Sequence, residues 1–248
     1  MNHDIRLIVL DMDGTTLNSS HQISRSNTLA VHEASEAGYE MMIATGRSLP
    51  AVAHFAEELK MKDWIITGNG SEIWELSGPE LKHRQLLNAA LVEKMNQIKV
   101  KHGARHWAAS VDKVWKNEMP EDIQSRQWLK FGYDLDDTAV RDQILHLLHQ
   151  EDELEVSNSS PLNIEVNAAG VHKAAAIEKV LEDRGWGFHQ VMALGDSLND
   201  LTMIREAGVG VAMGNAQEEV KQEADFVTAD FEADGVAEAL RHLGIIKK

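Results

Sequence analysis

The sequence predicts an α/β protein in which a doubly wound parallel sheet carries a smaller, inserted α+β domain. Two observations lead to this prediction. Short apolar runs alternate with helix-like stretches in the first third of the 248 residues and again in the last third, while the middle of the chain has a different character. Because strands alternating with helices of this length join through right-handed crossovers, the two outer thirds should share one parallel sheet.

The first third opens with Leu7–Leu10, an apolar run without helical period that is typical of a buried parallel strand. Ser24 or Ser26 as N-cap and Gly38 as a stop signal predict a helix over Ser24–Ala37. The remaining predicted elements of this third are strands at Tyr39–Ala44, Trp64–Thr67 and Glu72–Glu75, a helix whose first turn holds Pro50 and which runs to Leu59, and a turn at Gly68-Asn69-Gly70.

The last third repeats this rhythm, with glycines stopping two of its helices at Gly185 and Gly208. The predicted elements are helices at Lys173–Arg184, Asn199–Ala207, Gln217–Ala224 and Gly235–Leu243, strands at Val191–Leu194 and Val209–Ala212, and a short segment at Phe226–Val227.

The middle of the chain, residues 80–168, is predicted to be an α+β domain inserted into a core formed by residues 1–79 and 169–248. Gly78-Pro79 and Ala168-Ala169-Gly170 are the candidate hinges. The stretch contains helix-like segments at Ala89–Lys101 and Thr138–Gln150, candidate strands at Trp128–Phe131 and Asn163–Asn167, and the tryptophans Trp107, Trp115 and Trp128.

Composition narrows the class of protein. A hydrophobic fraction of 43% supports a real core, and a formal charge of −16 disfavours nucleic acid and anionic membrane surfaces as partners. The chain has no cysteine, which rules out disulfides and thiol chemistry. With no apolar stretch of membrane-spanning length and no room for a signal-peptide core before Asp11, a cytoplasmic enzyme is expected.

Asp11-Met12-Asp13-Gly14-Thr15 directly follows the first predicted strand. Ligands of open α/β sheets bind outside the carboxyl ends of the strands, so these two carboxylates stand where chemistry is expected. An acidic turn after a strand is the plainer interpretation of a single Asp-x-Asp. A second acidic strand end later in the chain argues against that interpretation.

That second cluster, Gly195-Asp196-Ser197-Leu198-Asn199-Asp200, follows the predicted strand Val191–Leu194. Two such strand ends side by side would bring Asp11, Asp13 and Asp196 together, and clustered carboxylates stay ionised only when a cation joins them. Oxygen-only ligands in small number favour Mg²⁺, which also binds substrate phosphate. Two N-cap aspartates near each other would explain Asp196 but not the whole set.

Thr45-Gly46 and Lys173 are candidates for holding a phosphate. Thr45-Gly46 ends a strand and offers a hydroxyl and a backbone N–H, while Lys173 opens a helix and supplies positive charge in an acidic protein. Each taken alone is more typical of a structural residue, a capping threonine or a solvated lysine.

Together these motifs resemble the haloacid dehalogenase-like hydrolase superfamily. Its four motifs occur in order as Asp11–Thr15, Thr45, Lys173 and Gly195–Asp200. The insert between the second and third motifs resembles the large type IIB cap of the Cof-like phosphatases, as do Gly68-Asn69-Gly70 and Val209–Asn215. The resemblance covers essentially the full chain and implies a Rossmann-like core.

The resemblance implies a Mg²⁺-dependent phosphomonoester hydrolase of small phosphorylated metabolites that works through an aspartyl phosphate. Asp11 would be the nucleophile and Asp13 the acid and base. The implied metal ligands are Asp11, the backbone carbonyl of Asp13, and Asp196; the implied phosphate contacts are Met12 through its amide, Thr45, Gly46, Lys173 and Asn199; and Asp200 would orient Lys173.

The sequence departs from the family pattern at Ala174, where relatives usually have glycine after the lysine. Two alternatives to the hydrolase remain open: a phosphoryl transferase such as a phosphosugar mutase of the same superfamily, and a phospho-aspartate signalling module. Sugar phosphates and flavin or ribitylaminouracil phosphates are the expected substrates, and the three tryptophans of the insert slightly favour a flat ring.

Several other residues have plainer interpretations. Asp134-Leu135-Asp136-Asp137 resembles a paired-acid motif but precedes a helix, so helix capping is expected. His102 and His106 have metal-like spacing that Gly103 interrupts. His172 neighbours Lys173 and could touch substrate.

Overall fold

A computed structural model of the protein describes residues 4–247. It contains one eight-stranded and one five-stranded sheet, each with an apolar core of its own. In chain order the elements are β1 Leu7–Leu10, α1 Arg25–Glu36, β2 Glu40–Ala44, α2 Leu49–Glu58, β3 Trp64–Thr67, β4 Glu72–Glu75, β5 Glu80–Arg84, α3 Ala89–His102, β6 Arg105–Ser110, β7 Val114–Lys116, β8 Trp128–Asp134, α4 Thr138–Leu148, β9 Leu154–Ser157, β10 Asn163–Ala168, α5 Lys173–Arg184, β11 Val191–Gly195, α6 Leu201–Glu206, β12 Val209–Ala212, α7 Glu218–Glu223, β13 Phe226–Val227 and α8 Gly235–His242.

The larger sheet has the strand order β13-β12-β11-β1-β2-β3-β4-β5. All pairs from β13 to β3 are parallel, and β4 and β5 add an antiparallel edge. All four residues of β1 are buried, as expected for a parallel strand covered by helices on both faces. The predicted α/β class with a parallel sheet is confirmed.

The register of the central strands decides which loops meet. Leu10 of β1 lies opposite Leu194 of β11 on one side and opposite Ile43 of β2 on the other. The three strands therefore end at nearly the same level. The loops that begin at Asp11, Thr45 and Asp196 leave the sheet from one edge.

The smaller sheet is antiparallel, with the order β7-β6-β8-β10-β9. Phe131 and Tyr133 of β8 belong to an apolar core that also contains Val92 and Met95 of α3 and Ile144 of α4. Side chains alternate across a strand, so Lys130 and Gly132 of β8 lie on the opposite face of this sheet.

Most predicted elements coincide with observed ones, while β5, β6, β7 and β9 were not predicted. Three of these four, β5, β7 and β9, are edge strands. β5 has the sequence Glu-Leu-Lys-His-Arg and lacks the apolar run by which a buried strand is recognised.

The predicted boundary at residue 80 requires a correction. β5 pairs antiparallel with β4, and Gly78-Pro79 lies in the turn between them rather than at a hinge. The chain leaves the larger sheet after Arg84 and returns after Ala168. The two connections lie together, since the Gln85 side chain donates to the Ala169 carbonyl over 3.1 Å. We call residues 85–168 the inserted domain.

Residues 4–247 contain no helix that is both long and apolar enough to cross a membrane.

Asp137 provides a test of helix capping in the inserted domain. Its side chain accepts a hydrogen bond from the Ala139 amide over 2.7 Å at the start of α4, as the capping interpretation predicts. Asp137→Ala should lower the free energy of unfolding by about 1 kcal/mol, measured by urea denaturation. Asp136→Ala is the control: it removes only an exposed ion pair with Arg105 and should leave the free energy of unfolding nearly unchanged. An equal loss in both variants would contradict the capping role.

Candidate active site

The site lies at the carboxyl edge of the larger sheet, where three acidic side chains meet. Carboxylate oxygens of Asp11, Asp196 and Asp200 lie within 4.8 Å of one another. Burial, and then the charge of Asp200, raises the pKa of Asp11 well above its ordinary value. The same two causes raise the pKa of Asp196 to about 7. Such a cluster is unfavourable unless positive charge joins it.

Lys173 supplies part of that charge. It is the first residue of α5 and is fully buried, and its Nζ donates to Asp11 Oδ1 over 2.5 Å and to Asp200 Oδ1 over 2.6 Å. Burial opposes the charged form, but Asp11 and Asp200 together raise the pKa of Lys173 above its ordinary value. The contact between Asp200 and Lys173 is the one that the sequence led us to expect.

Asp200 also shapes the loop that carries Asp196. Its Oδ2 accepts hydrogen bonds from the backbone amides of Asp196 and Ser197 over 3.0 and 3.1 Å. Asp196 in turn accepts from the hydroxyls of Thr15, over 3.4 Å, and Ser197, over 2.9 Å. Gly14 permits this approach, because its φ is +77° and a Cβ there would lie 2.7 Å from an Asp196 oxygen.

The Asp13 carboxylate does not join Asp11 and Asp196, contrary to the expectation from the sequence. Its two oxygens instead accept from Arg47, over 2.8 Å to Nε and 2.5 Å to the terminal nitrogen. This hydrogen bond raises the pKa of Arg47. Asp13 still lines the same cavity as Asp11, so its carboxylate faces the site without belonging to the acidic cluster.

Thr45 and Gly46 directly follow β2 at the same edge of the sheet. The buried Thr45 hydroxyl accepts from the Arg47 amide over 3.2 Å, which fixes the turn after β2. Gly46 lines the cavity, and a Cβ there would lie 2.8 Å from the Asn69 side chain and 3.1 Å from Lys130 Nζ. A residue larger than glycine would therefore push these groups away.

Met12 and Asn199 complete the predicted set. Met12 is fully buried, and its carbonyl accepts from the amides of Thr15, Thr16 and Leu17, which turns the loop back under β1. The Asn199 side chain lines the cavity and donates to Asn69 over 3.4 Å. The structure thus places all the predicted site residues around one edge, with the Asp13 carboxylate turned to Arg47.

The cavity extends from this edge to the inserted domain and has a volume of about 220 Å³. Four of its lining residues come from that domain: Trp107, Lys130, Ser159 and Glu165. Lys130 Nζ donates to Glu165 over 2.9 Å and reaches the Gly46 carbonyl at 3.4 Å. Glu165 also accepts from Asn69 over 2.6 Å, so a buried ion pair of the inserted domain contacts the core through Asn69 and Gly46.

Arg47, Asn69, Lys130 and Glu165 are given no role at the site by the sequence, while Trp107 is one of three tryptophans that the sequence offers for a flat ring and is the one that lines the cavity. The sequence does carry a signal for Arg47. It directly follows Thr45 and Gly46, and a cation next to two candidate phosphate-binding residues is itself a candidate. Lys130 offered a weaker signal, as a lysine within the apolar run Trp128–Tyr133. For Glu165 we find no signal in the sequence.

The three histidines that the sequence singled out lie in structural positions. The His172 side chain accepts from the Ala175 amide over 3.2 Å and caps α5. His106 lies in β6 and stacks on Phe131, while His102 ends α3. Neither His102 nor His106 belongs to a group of three possible metal ligands within residues 4–247.

Comparison with known proteins decides the family. A family model for haloacid dehalogenase-like hydrolases matches residues 8–143 and 119–240. This chain belongs to the haloacid dehalogenase-like hydrolases. The 5-amino-6-(5-phospho-D-ribitylamino)uracil phosphatase YcsE of Bacillus subtilis is 50% identical over 239 residues, which cover 96% of each chain. The pyridoxal phosphate phosphatase YbhA of Escherichia coli is 28% identical over 94% of this chain and 96% of its own.

Solved structures agree with this assignment. A haloacid dehalogenase-like hydrolase from Bacteroides thetaiotaomicron superposes with a TM-score of 0.81 at 29% identity, covering 96% of this chain and 99% of the other. The subclass IIB sugar phosphatase BT4131 gives a TM-score of 0.85 at 25% identity, covering 97% and 100%. This haloacid dehalogenase-like hydrolase is a phosphatase of small phosphorylated metabolites.

The donor atoms at the site of this hydrolase fit a magnesium ion. Asp11 and Asp196 offer carboxylate oxygens, while both oxygens of Asp200 are engaged by Lys173 and by backbone amides. An all-oxygen set of this kind suits Mg²⁺, which retains several waters and takes few protein ligands. Burial, and then the charge of Asp200, raises the pKa of both Asp11 and Asp196, and a bound cation would oppose both causes.

Lys173→Met provides a test of the charge balance in this hydrolase. The variant leaves buried carboxylates without their cation, which should lower the free energy of unfolding in EDTA by about 3–5 kcal/mol. Urea denaturation followed by circular dichroism measures the loss. Lys179→Met is the matched control, because Lys179 is exposed on the same helix. If both variants lost the same stability, Lys173 would not be the residue that balances the cluster.

Proposed function

We propose that the chain is a Mg²⁺-dependent phosphomonoesterase in which Asp11 forms an aspartyl phosphate. The observation that carries the proposal is the meeting of Asp11, Asp196 and Lys173 at one sheet edge, beneath a cavity that the inserted domain closes. A carboxylate nucleophile needs neighbouring positive charge to approach a phosphate. The site provides Lys173 and Arg47, with oxygen ligands for a metal.

Asp11, the Asp13 backbone carbonyl and Asp196 would hold the Mg²⁺. When bound, the ion would keep Asp11 and Asp196 ionised and draw negative charge away from the phosphate oxygens. Asp200 positions Lys173 and, through its second oxygen, the amides that fix the Asp196 loop.

The first chemical step belongs to Asp11. We assign the attack to its Oδ2, since Oδ1 accepts from Lys173. A bond forms between this oxygen and phosphorus, the bond from phosphorus to the leaving-group oxygen breaks, and the leaving oxygen takes a proton from Asp13. Thr45, Gly46, Lys173, Asn199 and the Met12 amide are the proposed contacts to the phosphate.

The second step uses Asp13 as a base. Water attacks the phosphorus of the aspartyl phosphate and gives a proton to Asp13, and the break of the bond between phosphorus and Asp11 regenerates the carboxylate. Arg47 donates to both oxygens of the Asp13 carboxylate in the structure, so the acid role requires this pairing to loosen. Substrate phosphate is the anion that would compete for Arg47.

The inserted domain would act as a cap that excludes water from the site and recognises the leaving group of the substrate. The cavity between this domain and the core has a volume of about 220 Å³, below the roughly 300–1,000 Å³ of typical ligand sites, so binding of the proposed substrate would require the cap to move. The side-by-side connections at Gln85 and Ala169 are the proposed hinge.

For the substrate we propose a heterocycle carried on a phosphorylated ribityl chain, of the kind named for YcsE, which is 50% identical. We propose the cytoplasm as the compartment in which the enzyme meets such a metabolite. A phosphosugar mutase would instead need an acceptor for the phosphoryl group. A signalling module would have no use for the enclosing domain.

Asp11→Asn tests the covalent mechanism. An amide cannot form the aspartyl phosphate, so kcat should fall by at least about 1,000-fold, or 4 kcal/mol. The measurement is the release of inorganic phosphate from riboflavin 5′-phosphate in the absence of any acceptor. Release by the wild type under these conditions would exclude the mutase alternative. Asp136→Asn, an exposed carboxylate, should keep full turnover. Undiminished turnover by Asp11→Asn would refute the mechanism.

Asp196→Asn tests the metal site without relying on turnover. Removing one of the crowded carboxylates should raise the melting temperature of the protein in EDTA. Mg²⁺ at about 100 times its dissociation constant should stabilise the wild type by about 2.7 kcal/mol, and Asp196→Asn should lose this response.

Asp183→Asn is the control for that measurement, since Asp183 is exposed on α5 and should respond to Mg²⁺ as the wild type does. A wild-type melting temperature that Mg²⁺ leaves unchanged would argue against the metal site.

A further inference from the structure

One face of the smaller sheet looks into the cavity. Gly132 of β8 lies opposite Trp107 of β6 on one side and opposite Glu165 of β10 on the other. Residues paired in this way share a face of the sheet. Trp107 and Glu165 both line the cavity together with Asp11, so this face points towards the phosphate site.

Gly132 fixes the position of the Trp107 indole. A Cβ at residue 132 would lie 2.3 Å from two carbons of that ring and 2.8 Å from its nitrogen. The ring therefore lies directly on the backbone of β8, where only glycine leaves space for it. Trp107 is half-buried in this position and still lines the cavity.

Lys130 connects the indole to the phosphate site. Its ammonium group is 4.7 Å from the centre of the Trp107 ring and 3.4 Å from the Gly46 carbonyl. Glu165 holds the same ammonium group over 2.9 Å and is itself fixed by Asn69 and by Ser159, over 2.6 and 3.0 Å. A polar pair thus lies between an aromatic ring and the residues that follow β2.

This order of groups matches a leaving group with a polar chain next to the phosphate and a flat ring at its end. We propose that Trp107, held flat by Gly132, is the specificity-determining residue that selects a planar heterocycle, and that Lys130 and Glu165 contact the hydroxyls of the connecting chain. The proposal rests on the phosphatase activity proposed above. Aromatic stacking favours a planar ring over a chain that ends in a hydroxyl.

Two substrates separate ring recognition from phosphate recognition. Riboflavin 5′-phosphate carries a flat ring on a ribityl phosphate, and ribitol 5-phosphate is the same chain without the ring. The wild type should prefer the first by at least about tenfold in kcat/KM, equivalent to about 1.4 kcal/mol. Trp107→Leu should lose about tenfold on riboflavin 5′-phosphate and less than about threefold on ribitol 5-phosphate. Trp107→Phe should keep most of the preference.

Trp115→Leu is the matched control. Trp115 lies in β7 of the same sheet, donates to the Ser110 hydroxyl over 3.0 Å, and is not among the residues that line the cavity. Its replacement should leave the ratio of the two kcat/KM values unchanged. Gly132→Ala keeps the tryptophan but displaces the ring, and should lower the preference as Trp107→Leu does.

Flavin fluorescence gives a readout independent of turnover. Stacking on an indole quenches it, so riboflavin 5′-phosphate bound to Asp11→Asn should be quenched, and the quenching should disappear in Asp11→Asn/Trp107→Leu. Equal losses on both substrates in Trp107→Leu, or a wild type without preference, would overturn the inference. Failure of the proposed function would look different: no phosphate would be released from either ester in the presence of Mg²⁺.

Discussion

The buried ion pairs of Lys173 with Asp11 and Asp200 are the interactions on which the rest of the site depends. Burying three carboxylates within 4.8 Å is costly, and Lys173 Nζ at 2.5 and 2.6 Å from two of them offsets part of that cost. Burial and the neighbouring charge of Asp200 still raise the pKa of Asp196 to about 7. The proposed Mg²⁺ would offset this remaining cost.

A second buried ion pair, Lys130 with Glu165, lies in the inserted domain where that domain contacts the core. Both side chains are almost fully buried, and burial lowers the pKa of Lys130 although Glu165 opposes the shift. The contacts of Glu165 with Asn69 and of Lys130 with Gly46 cross between the two sheets. A movement of the inserted domain away from the core would break these two contacts and expose the ion pair to water.

The two carboxylates of the Asp-x-Asp motif lie in different surroundings. Asp11 and Asp13 lie one residue apart, yet only Asp11 joins the buried cluster. Asp13 is near the protein surface, where a bidentate contact with Arg47 is available. The two carboxylates thereby acquire different environments, which supports the different roles proposed for them, Asp11 as nucleophile and Asp13 as acid and base.

The sequence by itself determined the parallel core and the strand ends that carry Asp11, Thr45 and Asp196, because apolar runs and their terminating glycines and aspartates are local signals. Tertiary structure alone decided the pairing of β5 with the larger sheet, since a polar edge strand is defined by its neighbour. It also decided the contacts of Lys130 with Gly46, 84 residues away in the chain, and of Asn69 with Glu165, 96 residues away. Such contacts depend on how the two sheets lie against each other, which no local pattern encodes.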